Sequence, residues 1–99
     1  MSVDGNWKVT IKSPMGAMAT RLTIKSKGNA FTGTQSGQGQ STDVIDGKVD
    51  GNTITWSNNI TVPLKITLQY SGVVSDGEMS GKVKAGLMGS FTFSGVRED

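Results

Sequence analysis

The chain contains no cysteine and no histidine. Without cysteine there is no disulfide staple and no thiolate chemistry, which suits a reducing compartment, and a cytoplasmic setting is the expectation. Without histidine the commonest general base and zinc ligand are missing, and a Ser-His-Asp triad is impossible. No metal cluster, no phosphate-binding loop and no dinucleotide fingerprint leading into a helix can be found, so neither metal nor cofactor is expected. Charge of one sign is also lacking: ten Lys and Arg face eight Asp and Glu, for a net +2. That balance is too even for a dedicated nucleic-acid binder. No apolar run approaches the roughly 18 residues of a membrane helix. The opening Met1-Ser2-Val3-Asp4 lacks a basic and an apolar region, so no signal peptide is expected. Prolines number only two.

What the chain does hold is fourteen glycines, eleven threonines and a hydrophobic period of two. Glycine-rich turns between β-branched alternating runs are the mark of an all-β domain. Trp7, Val9 and Ile11 alternate with Lys8, Thr10 and Lys12. Met18, Thr20, Leu22 and Ile24 form the next apolar face. Phe31, Gly33 and Gln35 follow the Lys27-Gly28-Asn29 turn. After a polar loop at Gly37–Ser41 the same parity is expected for Asp43, Ile45, Gly47 and Val49. Ile54 and Trp56 share a face, and then Leu64, Ile66, Leu68, Tyr70 and Gly72. Met79, Gly81, Val83 and Ala85 come next, and Phe91, Phe93, Gly95 and Arg97 close the chain.

These are eight strands with short links, and short links make neighbours antiparallel. Closure into a barrel removes the two edges that an open sheet of this size would expose. Glycines inside strands fit that closure, because they permit sharp bends or relieve interior crowding. The expected fold is a single domain over residues 1–99, an all-β, eight-stranded antiparallel up-and-down β-barrel.

Gly5-Asn6-Trp7 at the start of the first strand, with Arg97 on the inward parity of the last, resembles the signature of the calycin barrels. These comprise the lipocalins, fatty-acid-binding proteins and avidins. Within that group Asn29-Ala30-Phe31-Thr32-Gly33-Thr34, Ile54-Thr55-Trp56-Ser57-Asn58-Asn59 and Tyr70-Ser71-Gly72 look similar to strands of the avidin and streptavidin family. The resemblance implies that Trp7 plugs a closed floor, with the Arg97 cation over its π face. It implies that Ser13 and Trp56 fall where biotin contacts occur. Val9, Gln35 and Tyr70 depart from the avidin pattern, and no Asp stands on the eighth strand, so biotin is not the expected ligand.

Sorting the inward residues by end places Ile24, Phe31, Val49, Ile54, Tyr70, Met79 and Phe93 with Trp7 at the floor. The opposite mouth collects the candidate ligand-binding residues Ile11, Met18, Gln35, Asp43, Trp56, Asn58, Leu64, Ile66 and Phe91. Val83 joins them, with Met15, Leu87 and Met88 on the rim. Apolar walls with a few polar tips are the usual make-up of a small-molecule pocket. The favoured function is binding of a small, mainly apolar molecule. A cofactor-free isomerase or cyclase is the alternative, with Asp43 as the weak catalytic candidate and Tyr70 or Gln35 as helpers. A filled barrel acting as a structural protein is the third reading. A threonine-rich outer face, including Thr10, Thr53 and Thr92, points to a homo-oligomer, a dimer or tetramer.

Overall fold

A computed structural model describes residues 3–13, 16–37, 40–60, 66–86 and 89–98. The strands are β1 (Gly5–Ser13), β2 (Gly16–Lys27), β3 (Ala30–Gly37), β4 (Gln40–Asp43), β5 (Ile45–Asp50), β6 (Thr53–Ile60), β7 (Ile66–Ser75), β8 (Glu78–Lys84) and β9 (Ser90–Arg97). Sequence neighbours pair antiparallel except β4 and β5, which both pair with β3 and not with each other, and β9 returns to β1. β4 and β5 are two segments of one stave, so the sheet closes as the expected eight-stranded barrel. Among the described residues no helix is long and apolar enough to cross a membrane.

The end carrying Trp7 has three tight hairpins. Gly28 (φ 64°) and Gly51 (φ 60°) each supply the positive φ that a two-residue II′ turn places at its first central position. At Ser75–Glu78 both central residues, Asp76 (φ 51°) and Gly77 (φ 77°), are left-handed, as in a I′ turn. These turns carry the right-handed twist of their strands and so set the register. Trp7 stands opposite Arg97 and Leu22 in that register. The guanidinium lies 4.8 Å from the centre of the Trp7 ring, while its Nη1 donates to the Asp4 carbonyl at 2.6 Å. Trp7 Nε1 donates to the Val3 carbonyl at 3.0 Å. The segment before β1 is thereby drawn across the floor, which is closed as the sequence implied.

Inside, Trp7, Val9, Leu22, Ile24, Phe31, Ile54, Val74 and Met79 are buried. Close approach explains two of the strand glycines. Gly72 faces Gly81 across β7 and β8, and a Cβ at Gly72 would lie 2.9 Å from Cζ of Phe93. A side chain at Gly72 would displace the Phe93 ring, whereas one at Gly81 would run into the backbone of Ser71 and Gly72, so the first makes room for Phe93 and the second lets β7 and β8 approach.

The alternation fails at one place. Thr34, which is exposed, stands opposite Asp43, and the buried Gln35 stands opposite Thr42. Facing residues share a face, so Thr42 and Val44 point inward, and Asp43 and Ile45 point outward. Beyond them Gly47 is buried and Val49 half-buried. The inward positions run 44 to 47, three apart, because the register shifts between Ile45 and Lys48. Asp46 (φ 53°) absorbs the extra residue in the left-handed region, which Asp tolerates better than most side chains. The expectation that Asp43 and Ile45 share the inward face of Gly47 is therefore corrected.

Candidate functional site

Directly above the floor, the lumen is crossed by four aromatic rings. Trp56 and Tyr70 are opposite residues on β6 and β7, and their rings stack with centroids 4.4 Å apart and planes within 3°. Phe93 meets both edge-on, at 5.6 Å from Trp56 and 5.4 Å from Tyr70. Phe31 approaches the other edge of Trp56 at 6.2 Å. Edge-to-face and offset contacts of this kind add to the burial energy because the ring edges are positive and the faces negative.

Gln35, from β3, is the polar centre of this layer. Its Oε1 accepts from Trp56 Nε1 at 3.1 Å and from Asn58 Nδ2 at 2.5 Å. Its Nε2 donates to Thr20 Oγ1 at 3.0 Å and to the Tyr70 hydroxyl oxygen at 3.3 Å. Thr20 in turn donates to the Val9 carbonyl at 3.1 Å, tying the network to β1. Five side chains from β2, β3, β6 and β7 are thus joined without a formal charge. Burial pushes the Tyr70 hydroxyl up to about 12, and the Gln35 and Asn58 amides beside it pull weakly the other way. At neutral pH the phenol is protonated and is no base. One atom stands outside the pairing: Asn58 Oδ1 is buried with no hydrogen-bond partner.

The nine candidate ligand residues divide accordingly. Gln35, Trp56 and Asn58 converge, all of them buried. Ile11 is buried between Met18 and Phe93, its cross-strand neighbours, while Ile66 and Phe91 are half-buried. Met18 has the inward parity but is 40% exposed, lying beyond the last β2–β3 pair at Arg21 and Ser36. Asp43 is exposed on the outer face, which removes the acid or base assigned to the lumen. Leu64, Met15, Leu87 and Met88 lie outside the described residues. Tyr70 and Phe93, expected at the floor, belong to the Trp56 layer. Thr20 was placed on the inward face by its parity but not in the site. The available signal was chemical: a buried Tyr hydroxyl and a buried Gln amide both require partners. Among the described residues no group of three Asp, Glu, His or Cys could hold a metal ion.

No protein-family model matches the chain, and no curated protein matches it. Among solved structures it is similar to a redesigned β-barrel, mFAP1, solved bound to DFHBI. The TM-score is 0.74 at 10% identity, over 97% of this chain and 94% of that one. At that identity the likeness is one of fold, a small closed antiparallel barrel.

Proposed function

We propose that this barrel binds a small, mainly apolar molecule, other than biotin, at the end opposite Trp7. The observation that carries the reading is the Gln35 hub set among stacked aromatic rings. Such a layer lines the lumen with apolar rings and fixed polar atoms, and a ligand gains from walls already organised before it arrives. A barrel of eight strands is just wide enough for one small ligand. Support from outside the chain is that mFAP1, which shares the fold, was solved with a small molecule bound. The reading needs no cofactor.

The chain has two tryptophans, Trp7 at the floor and Trp56 in the aromatic layer above it, which provides an internal control. In ¹⁵N-labelled protein titrated with a panel of apolar aromatics, the Trp56 indole N–H resonance moves while that of Trp7 stays in place. Native mass spectrometry before and after organic extraction checks for a molecule already held. A panel in which neither indole responds, together with ligand-free mass spectra, refutes the binder.

A second reading, compatible with the first, concerns the outside. Val73 and Val96 are 52% and 46% exposed and border a shallow groove that includes Ser80 and Ser94. Thr53, Val73, Ser80, Ser94 and Thr10 run in one cross-strand row. Small uncharged side chains make this face flat, and on β8 Glu78 and Lys82 bracket Ser80. A two-fold axis through Ser80 sets the glutamate of one copy against the lysine of the other, so the face is self-complementary. Light scattering then reports a dimer or larger that Glu78→Lys weakens and Glu78→Lys with Lys82→Glu restores. A monomer at all concentrations overturns it.

A further inference from the structure

Among the described residues the candidate lumen site contains one acceptor with no donor. Indole nitrogen can only donate, so the Gln35 atom facing Trp56 is its oxygen. That oxygen also receives Asn58, which assigns Nδ2 of Asn58 to this contact. The orientation of both amides follows from the bonding, not from choice. Oδ1 of Asn58 is consequently the other prong of the amide, in a residue only 1% exposed. No group among the described residues satisfies it. A buried carbonyl oxygen left in this state costs about 1–3 kcal/mol.

We infer that Asn58 Oδ1 is the selecting atom of the lumen, and that the molecule bound there carries an N–H or O–H donor on its apolar body. The inference rests on the binding reading above and refines it. Gln35 has its polar atoms committed to Trp56, Asn58, Thr20 and Tyr70, so it holds the site in shape and is not the contact to ligand. Asn58 alone of the two amides has capacity left. A ligand without a donor leaves the acceptor dry, and a site with such an acceptor discriminates strongly against analogues that cannot pair with it.

The test uses two probes of matched shape, 2-naphthol and 2-methylnaphthalene, which differ by a hydroxyl in place of a methyl. The methyl compound is the more hydrophobic, so burial alone favours it. Naphthol binding tighter by about tenfold, the equivalent of one hydrogen bond, supports the assignment. On naphthol addition alone the Asn58 side-chain amide resonances shift, and in Asn58→Leu the two probes bind within about twofold of each other. Equal or reversed affinities in the unmodified protein overturn the assignment and leave the binder standing. A preference that survives in folded Asn58→Leu also overturns it, as does tight water at Oδ1 that naphthol fails to displace. If neither probe binds and the wider panel is silent too, the binding reading itself fails. Should Asn58→Leu not fold, the probe pair and the amide shifts in the unmodified protein decide.

Discussion

Trp56 and Tyr70 face each other across β6 and β7 with their rings 4.4 Å apart and nearly parallel, and both carry a polar tip that ends on Gln35. One amide therefore fixes the height of two large rings drawn from neighbouring strands. The stack is apolar in its body and hydrogen-bonded at its edge, which is the condition for burying such rings without loss.

Replacing the hub exposes how much depends on it. Gln35→Leu leaves the Trp56 N–H without its acceptor inside the barrel and removes the partner of the Asn58 amide. The expected loss is about 2–4 kcal/mol in chemical denaturation. Trp56 emission shifts as well, because the indole loses its fixed partner. A loss below about 0.5 kcal/mol would show that the network contributes little to stability.

Alkali should weaken the fold through Tyr70. Its folded pKa, about 12, is above the ordinary value of 10.0 because burial disfavours the phenolate. The folded state therefore holds the proton more tightly than the unfolded chain. The associated stability is whole below pH 10 and is lost as pH rises through 12. By linkage the loss is roughly 2–3 kcal/mol for a shift of this size. Tyr70→Phe flattens that part of the curve, and comparing the two proteins by urea titration between pH 9 and 12 removes the common contribution of the lysines.

At the floor, Arg97→Ala removes both the cation over Trp7 and the donor to the Asp4 carbonyl. A loss of about 1–3 kcal/mol is expected, with a shift of Trp7 emission but not of the Trp56 indole resonance. Arg97→Lys keeps the charge and restores part of the stability. An unchanged melting temperature in Arg97→Ala counts against a closed floor.

The bulge makes its own prediction. At Asp46 the backbone is left-handed, where a β-branched side chain is strained. Asp46→Val should cost about 1–2 kcal/mol, while Asp46→Gly stays within about 0.5 kcal/mol of the parent. Equal effects of the two would place the tolerance of this site in something other than φ.

Most of the barrel was legible because strand alternation and turn chemistry are local. Trp7, Val9 and Ile11 announce one buried face whatever they pack against, and Gly28, Gly51 and Gly77 announce turns because few other residues take positive φ easily. The break between β4 and β5 left a fainter trace: Val44 and Ile45 are adjacent apolar residues that cannot both point inward, and Asp46-Gly47 is a turn-prone pair. Reading straight through them turned Asp43 inward, since a single extra residue reverses the face of everything before it.

The candidate site was half legible. Gln35, Trp56 and Asn58 were found because parity put polar and aromatic side chains on the inward face at one end. Their partners were not, since height in a barrel depends on the stagger between strands, and stagger is not written in any one strand. Tyr70 joins Trp56 because β6 and β7 pair at that register, and Thr20 joins Gln35 because β2 and β3 run antiparallel past each other. The sequence by itself determined the all-β class and the order of the strands, and a family resemblance implied the sealing of one end by Trp7 and Arg97. Only the tertiary structure decided which inward residues share a layer, that Asp43 faces outward, and that Asn58 keeps one unpaired oxygen. Those depend on distances between side chains remote in the chain, which closure of the sheet sets and local pattern does not.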